Sequence, residues 1–122
     1  MTVAIELDQN FIKLSPQTER LDGEAGAELF ELMKNQMQMH QCPNFIIDLS
    51  AVQHLLIEAV QPLLASQEML LQQSGTLVLT NTQEPVLQKI KQERLHLSIQ
   101  VANNMEEVLE LLRRNEEILG DC

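Results

Sequence analysis

The stretch Phe45-Ile46-Ile47-Asp48-Leu49-Ser50 decides the fold, because it is apolar on both faces of the strand that it predicts. Such a run, with one charge in it, is typical of a central strand in a parallel sheet, where both faces are covered. Leu55-Leu56-Ile57-Glu58-Ala59 follows and leads into an apolar helix, and we call residues 55–59 the aliphatic turn. A helix start usually carries Ser, Thr, Asp or Asn to accept from its free N–H groups, and this one has none.

The aliphatic turn is the first candidate for function, because branched aliphatic side chains are costly to expose to water. Two interpretations stay open from the sequence. Either the turn folds inward over the sheet edge as ordinary core, or it is presented to a binding partner. The predicted partner-binding residues are His54, Leu55, Leu56, Ile57, Glu58 and Ala59.

Short apolar segments separated by turn signals predict the element order β-β-α-β-α-β-α-β-α. Asp22-Gly23 marks the start of the first helix, and Pro85 suits the first turn of a short helix over residues 84–91. The alternating run Leu97-Ser98-Ile99-Gln100-Val101 predicts the last strand. Strands that follow helices pair mostly in parallel. The sequence therefore predicts a single α/β domain over residues 1–122, with a mixed, mostly parallel sheet of five strands and four helices.

The charge balance excludes several classes of partner. The formal net charge is −10, whereas proteins that bind nucleic acids neutralise phosphates with clustered Lys and Arg. The same charge opposes binding to an anionic membrane surface, and no apolar run is long enough for membrane insertion. The N-terminus carries no basic-then-apolar signal segment, and Cys42 and Cys122 are expected to be reduced thiols. We predict a cytoplasmic location.

The usual signatures of catalysis and of metal binding are missing from the sequence. His40, His54 and His96 are scattered, with no spacing typical of a metal site. No glycine-rich phosphate loop follows any predicted strand, and no pair of groups suggests acid–base chemistry in a cleft. We therefore predict no cofactor, no metal, no catalytic residue and no enzymatic activity.

Asp48-Leu49-Ser50-Ala51-Val52, together with the apolar helix after it and the order of elements, resembles the STAS domain. This family includes bacterial anti-sigma factor antagonists and the cytoplasmic tails of sulphate transporters. Arg20-Leu21-Asp22 looks like the start of the family's first helix, and residues 75–79 are similar to its glycine-led strand. The resemblance covers nearly the whole chain and implies the STAS fold.

This chain differs at every position from the family's regulatory motif, Asp-Ser-Ser-Gly. Counting without a gap from Asp48 places the motif on Leu56-Ile57-Glu58-Ala59, with Ile57 where similar domains carry the serine that a partner kinase phosphorylates. The resemblance thus implies that this phosphorylation site is absent. Glu58 has two interpretations, a permanent imitation of phosphate or an ordinary acidic residue at the positive end of a helix, and we favour the second.

The resemblance implies a non-enzymatic protein–protein interaction module that acts in signal transduction and transcription regulation, as in partner switching. Its partner would be an anti-sigma factor or a serine-kinase-like regulator, bound without the phosphorylation switch. The alternative is a structural adaptor subunit of an ABC-type transporter or of a scaffold assembly, in which the turn docks permanently on a transporter subunit. A homodimer is left open by either interpretation.

Overall fold

The computed structural model describes residues 1–114 as seven strands and four helices. Their bounds are β1 Val3–Leu7, β2 Ile12–Pro16, β3 Arg20–Leu21, α1 Gly23–His40, β4 Asn44–Asp48, β5 His54–Leu55, α2 Val60–Gln72, β6 Thr76–Thr80, α3 Glu84–Gln92, β7 Gln100–Ala102 and α4 Met105–Arg114. The predicted α/β class, with four helices and a mixed five-stranded sheet, is confirmed. That the domain extends over residues 1–122 stays a prediction.

The main sheet has the order β1-β2-β4-β6-β7 and places β4 at its centre. β1 pairs with β2 antiparallel, and every other neighbouring pair in this sheet is parallel. All five residues of β4 are buried, which confirms the interpretation of its apolar run as a central strand. The antiparallel β1 forms one edge, as expected for a strand joined to β2 by a tight hairpin.

Helices cover the sheet on both faces. Because side chains alternate along a strand, Phe45 and Ile47 of β4 pack into one core cluster and Ile46 into another. The larger cluster joins β2, β4 and β6 to buried residues of α1, α2 and α3. The smaller cluster joins Ile46 and Val78 to Val108 of α4. The fold is thus a three-layer sandwich with α4 alone on the second face, among the described helices.

Two details differ from the sequence-based expectation. The last strand begins at Gln100 rather than at Leu97, because a 3-10 turn (Leu95–Leu97) precedes it and the N–H groups of Ser98 and Ile99 return to the Leu95 carbonyl. A separate two-stranded parallel sheet, β3 with β5, was not predicted. The alternation of apolar and polar residues does not show where the 3-10 turn ends and β7 begins. Strands of two residues, such as β3 and β5, are too short to show any alternation.

Cys42 is buried and disulfide-bonded, so the expectation of a reduced thiol is wrong for this residue. Cys122 lies outside the described residues. Among residues 1–114, no helix is both long enough and apolar enough to cross a membrane.

Gln67 of α2 is a buried polar residue that links β6 to the segment that leads into β7. Its Oε1 accepts from the Leu77 N–H at 3.1 Å, and its Nε2 donates to the Ser98 carbonyl at 2.9 Å. β7 reaches β6 only from Val78 onward, so the Leu77 N–H has no ladder partner on that side. The Gln67 amide takes the place of the missing strand residues.

We expect Gln67→Leu to lower the free energy of unfolding by about 1–3 kcal/mol, because it leaves the buried Leu77 N–H and the Ser98 carbonyl without partners. The measurement is urea denaturation of both proteins. Gln61→Leu, an exposed change on the same helix, is the matched control and should stay within about 0.5 kcal/mol of wild type. Equal effects of the two changes would contradict the bridging role.

Candidate functional site

The aliphatic turn lies beyond the carboxyl end of β4, where a pair of short strands holds it. Leu55 of β5 pairs with Leu21 of β3, and His54 pairs with Arg20. The Leu56 N–H donates to the Leu21 carbonyl at 3.0 Å, which extends the pairing by one residue. Because β3 leads into α1 and β5 leads into α2, this small sheet sets the starts of both helices side by side.

Small residues allow the two helix starts to approach closely. A Cβ added at Gly26 would lie 3.1 Å from the Pro62 Cβ and 3.4 Å from the Ala59 Cα. One added at Gly23 would lie 3.1 Å from the Glu58 Cβ. Glycine at these positions therefore lets α1 pass directly over the start of α2.

The two helix starts differ in their caps. Asp22 caps α1, and its carboxylate accepts from the Ala25 N–H at 2.9 Å, as the sequence predicted. A 3-10 turn (Ile57–Ala59) precedes α2, and no side chain caps either of them. The Ala59 N–H donates to the Leu56 carbonyl at 3.0 Å, and no side chain accepts from the N–H groups of this first turn.

The structure buries some residues of the aliphatic turn and exposes others, and that any of them binds a partner stays a prediction. Leu55 and Ala59 are buried in the main core, at 4% and 0% exposure. Leu56 is half-buried, whereas the Ile57 side chain is 55% exposed. His54 and Glu58 are also exposed. The turn is thus anchored by two buried side chains and presents one large aliphatic side chain to solvent.

Asp48 fixes the loop that leads from β4 toward the turn. Its Oδ1 accepts from the Ser50 N–H at 2.9 Å, and its Oδ2 lies 3.5 Å from Lys13 Nζ. Burial alone would raise the pKa of Asp48, but hydrogen bonds from the backbone and hydroxyl of Ser50 and from Asn81, with the Lys13 charge, hold the pKa below its ordinary value of 3.8. The carboxylate is therefore ionised and ordered at neutral pH.

A solvent-open cleft of ≈ 320 Å³ lies beside the turn, between the small sheet and α3. Its lining residues are Arg20, His54, Leu55, Leu56, Pro85 and Lys89. His54, Leu55 and Leu56 are among the predicted partner-binding residues. The other three lining residues, Arg20, Pro85 and Lys89, were not singled out from the sequence for partner binding. The spacing of Pro85 and Lys89 places them on one face of α3, but no local signal shows that this face meets β5.

Two serines lie near the turn and differ in access. Ser50 is exposed, whereas Ser66 is fully buried and its hydroxyl donates to the Pro62 carbonyl at 2.8 Å. Within residues 1–114, no three His, Cys, Asp or Glu side chains come together in a group that could hold a metal ion.

Comparisons with known proteins match a family model and several solved structures. The model described as the STAS domain matches residues 3–108. No curated protein sequence gives a significant match. The Thermotoga maritima protein TM1081 superposes with a TM-score of 0.80 at 15% identity, over 93% of this chain and 90% of that one.

Two further structures have the same fold. The anti-sigma factor antagonist SpoIIAA of Bacillus, in its unphosphorylated form, matches at a TM-score of 0.67 and 15% identity, over 92% of this chain and 98% of that one. The murine anion transporter of solute carrier family 26, member A9, matches at 0.74 and 11% identity, over 90% of this chain but 19% of the transporter. At these identities the likeness concerns the fold.

We expect Asp48→Asn to lower the free energy of unfolding by about 1–3 kcal/mol near neutral pH, because a buried, hydrogen-bonded charge is lost. The pKa is lower in the folded state than in the unfolded state. The ionised carboxylate therefore stabilises the fold above the ordinary value of 3.8, and this stabilisation is lost as the pH falls through the lowered pKa. The gap between the two proteins should thus close in acid.

Urea denaturation of both proteins from about pH 7 down to about pH 2 measures that gap. Glu31→Gln, which removes an exposed carboxylate from α1, is the control and should follow wild type throughout. A gap between wild type and Asp48→Asn that stays constant with pH would contradict this role for the Asp48 charge.

Proposed function

The chain belongs to the STAS domain family, and from that premise we propose that it is a non-enzymatic interaction module whose aliphatic turn binds a regulatory protein. The observation that carries the proposal is the exposed Ile57 side chain, 55% accessible at the start of a helix that no side chain caps. An exposed aliphatic side chain on a rigidly anchored turn suits burial in a protein interface.

The proposal includes binding without serine phosphorylation. Ile57 occupies the acceptor position in the gapless count from Asp48, and an aliphatic side chain has no atom to phosphorylate. Ser66 is buried and its hydroxyl is engaged, so it offers no substitute. Glu58 is exposed beside Gly23, and we assign it the ordinary role of an acidic residue near the positive end of a helix.

The proposed partner is an anti-sigma factor or a serine-kinase-like regulator in the cytoplasm. Support comes from the family and from the structural likeness to SpoIIAA, which is an anti-sigma factor antagonist. The net charge of −10 favours a partner that carries basic groups, which would meet the acidic side chains on the α1 side of the turn. Because the acceptor serine is missing, we propose that the availability of the partner, rather than phosphorylation, controls binding.

A second candidate is a structural adaptor subunit of an ABC-type transporter or of a scaffold assembly. The match to the murine anion transporter, of which the chain covers 19%, favours it. Genomic neighbours distinguish the two candidates. Genes for a sigma factor, an anti-sigma factor or a phosphatase favour the antagonist, and transporter genes favour the adaptor.

We expect Ile57→Asp to abolish partner recovery in affinity capture from an extract of the source cells, because a charge replaces the aliphatic contact. Leu71→Asp is the matched control, since Leu71 is also 55% exposed on α2 but lies near the helix's opposite end. Circular dichroism checks that both variants fold. Equal recovery by Ile57→Asp and wild type would overturn the binding role of the turn.

We also expect no phosphate within residues 55–59 after incubation with ATP and the same extract, because these residues carry no hydroxyl. Peptide mapping by mass spectrometry makes the measurement, and phosphorylation of the extract's own proteins shows that its kinases are active. Ser66 should also stay unmodified because it is buried. Stoichiometric phosphate on the exposed Ser50 would instead show that a phosphorylation switch exists at a new position.

A further inference from the structure

The cleft beside the aliphatic turn has a charge opposite to that of the chain. The whole sequence holds 18 acidic and 8 basic Lys and Arg residues, so a typical surface patch carries more acids than bases. The cleft lining instead includes Arg20, Lys89 and His54, and no carboxylate. A local excess of positive charge on so acidic a protein is a candidate recognition feature.

The fold holds these three side chains around an apolar floor. Arg20 and His54 are direct neighbours across the parallel pair β3–β5, which puts their side chains on the same face. Lys89 comes from α3, which packs against β5, and its Nζ lies 3.5 Å from Glu93 Oε1. Leu55 and Leu56 contribute the apolar part of the lining.

Arg20 also marks a border between surfaces of opposite sign. It lines a second hollow of ≈ 260 Å³, on the α1 side, together with Asp22, Glu24 and Glu28. A partner that covers Ile57 therefore meets basic side chains toward α3 and acidic side chains toward α1. Such an arrangement fixes the orientation of a bound protein.

We propose that the cleft receives an acidic segment of the partner protein, with carboxylate side chains at Arg20 and Lys89 and an aliphatic side chain on Leu56. This inference deepens the proposed function and rests on it. The cleft is open, and Arg20 and His54 are exposed, whereas sites for small molecules bury most of their ligand. Lys89 already shares its charge with Glu93, so a segment that spans both basic residues suits the cleft better than a single small anion.

The test is a nuclear magnetic resonance titration of the full chain with a capped hexapeptide of alternating glutamate and leucine. A hexapeptide of alternating lysine and leucine and inorganic phosphate are the two other probes. We expect the acidic peptide to shift the backbone amide signals of Arg20, His54 and Lys89, with an effect that weakens as salt is added. The basic peptide and phosphate should leave those signals in place.

The double variant Arg20→Glu with Lys89→Glu should bind the acidic peptide about tenfold more weakly, because two attractive charge pairs become repulsive. The matched control is Lys34→Glu with Lys91→Glu, which changes the net charge equally. Lys34 and Lys91 are exposed on α1 and α3, and Lys91 lies about 200° around its helix from Lys89. The control should retain wild-type affinity.

Three results would overturn the inference. One is the absence of shifts at the cleft with the acidic peptide, and another is an equal loss of affinity in both double variants. The third is an equal response to inorganic phosphate, which would assign the cleft to a small anion. If Ile57→Asp loses the cellular partner while the peptide ignores the cleft, the proposed function survives and only this inference fails. If the acidic peptide binds at the cleft while Ile57→Asp recovers the partner as well as wild type does, the binding role of the turn fails and the cleft still recognises acidic peptides.

Discussion

Burial of β4 on both faces is the constraint on which the other elements depend. All five residues of Asn44–Asp48 are buried, so the strand needs a strand on each side and helices above and below. Phe45 and Ile47 serve one layer and Ile46 serves the other, which brings α4 to the face opposite α1, α2 and α3. The strand also ends at Asp48, whose ionised carboxylate orders the chain as it leaves the sheet. The position of the aliphatic turn follows from this exit.

The turn has its shape because two helix starts are packed against each other. Pairing of β3 with β5 brings the starts of α1 and α2 together, and Gly26 gives Pro62 and Ala59 room to approach. Burial of Leu55 and Ala59 holds the backbone between them. Ile57, between these two anchors, is left outside the core. Ile57 is therefore exposed because the residues on both sides of it are packed into the core. Its backbone is held in place before any partner binds, which suits a preorganised contact surface.

Several features were readable from local patterns. Phe45-Ile46-Ile47 predicted the central strand, and Asp22 predicted the helix start that its hydrogen bond to the Ala25 N–H confirms. Ile57, which the count from Asp48 places at the family's acceptor position, begins the 3-10 turn that precedes α2. The strand predicted to begin at Leu97 begins later, because a left-handed Arg94 (φ 59°) and a 3-10 turn interrupt an alternation that looks regular in the sequence.

The sequence by itself determined the α/β class, the order of the principal elements and the absence of a hydroxyl from residues 55–59, because each depends on residues close together in the chain. Only the tertiary structure decided which aliphatic side chain of the turn is exposed, since that depends on the pairing of Leu55 with Leu21, far earlier in the sequence. It likewise brought Arg20 and Lys89 to one cleft. Contacts between distant segments arise from the packing of whole elements, and no local pattern encodes them.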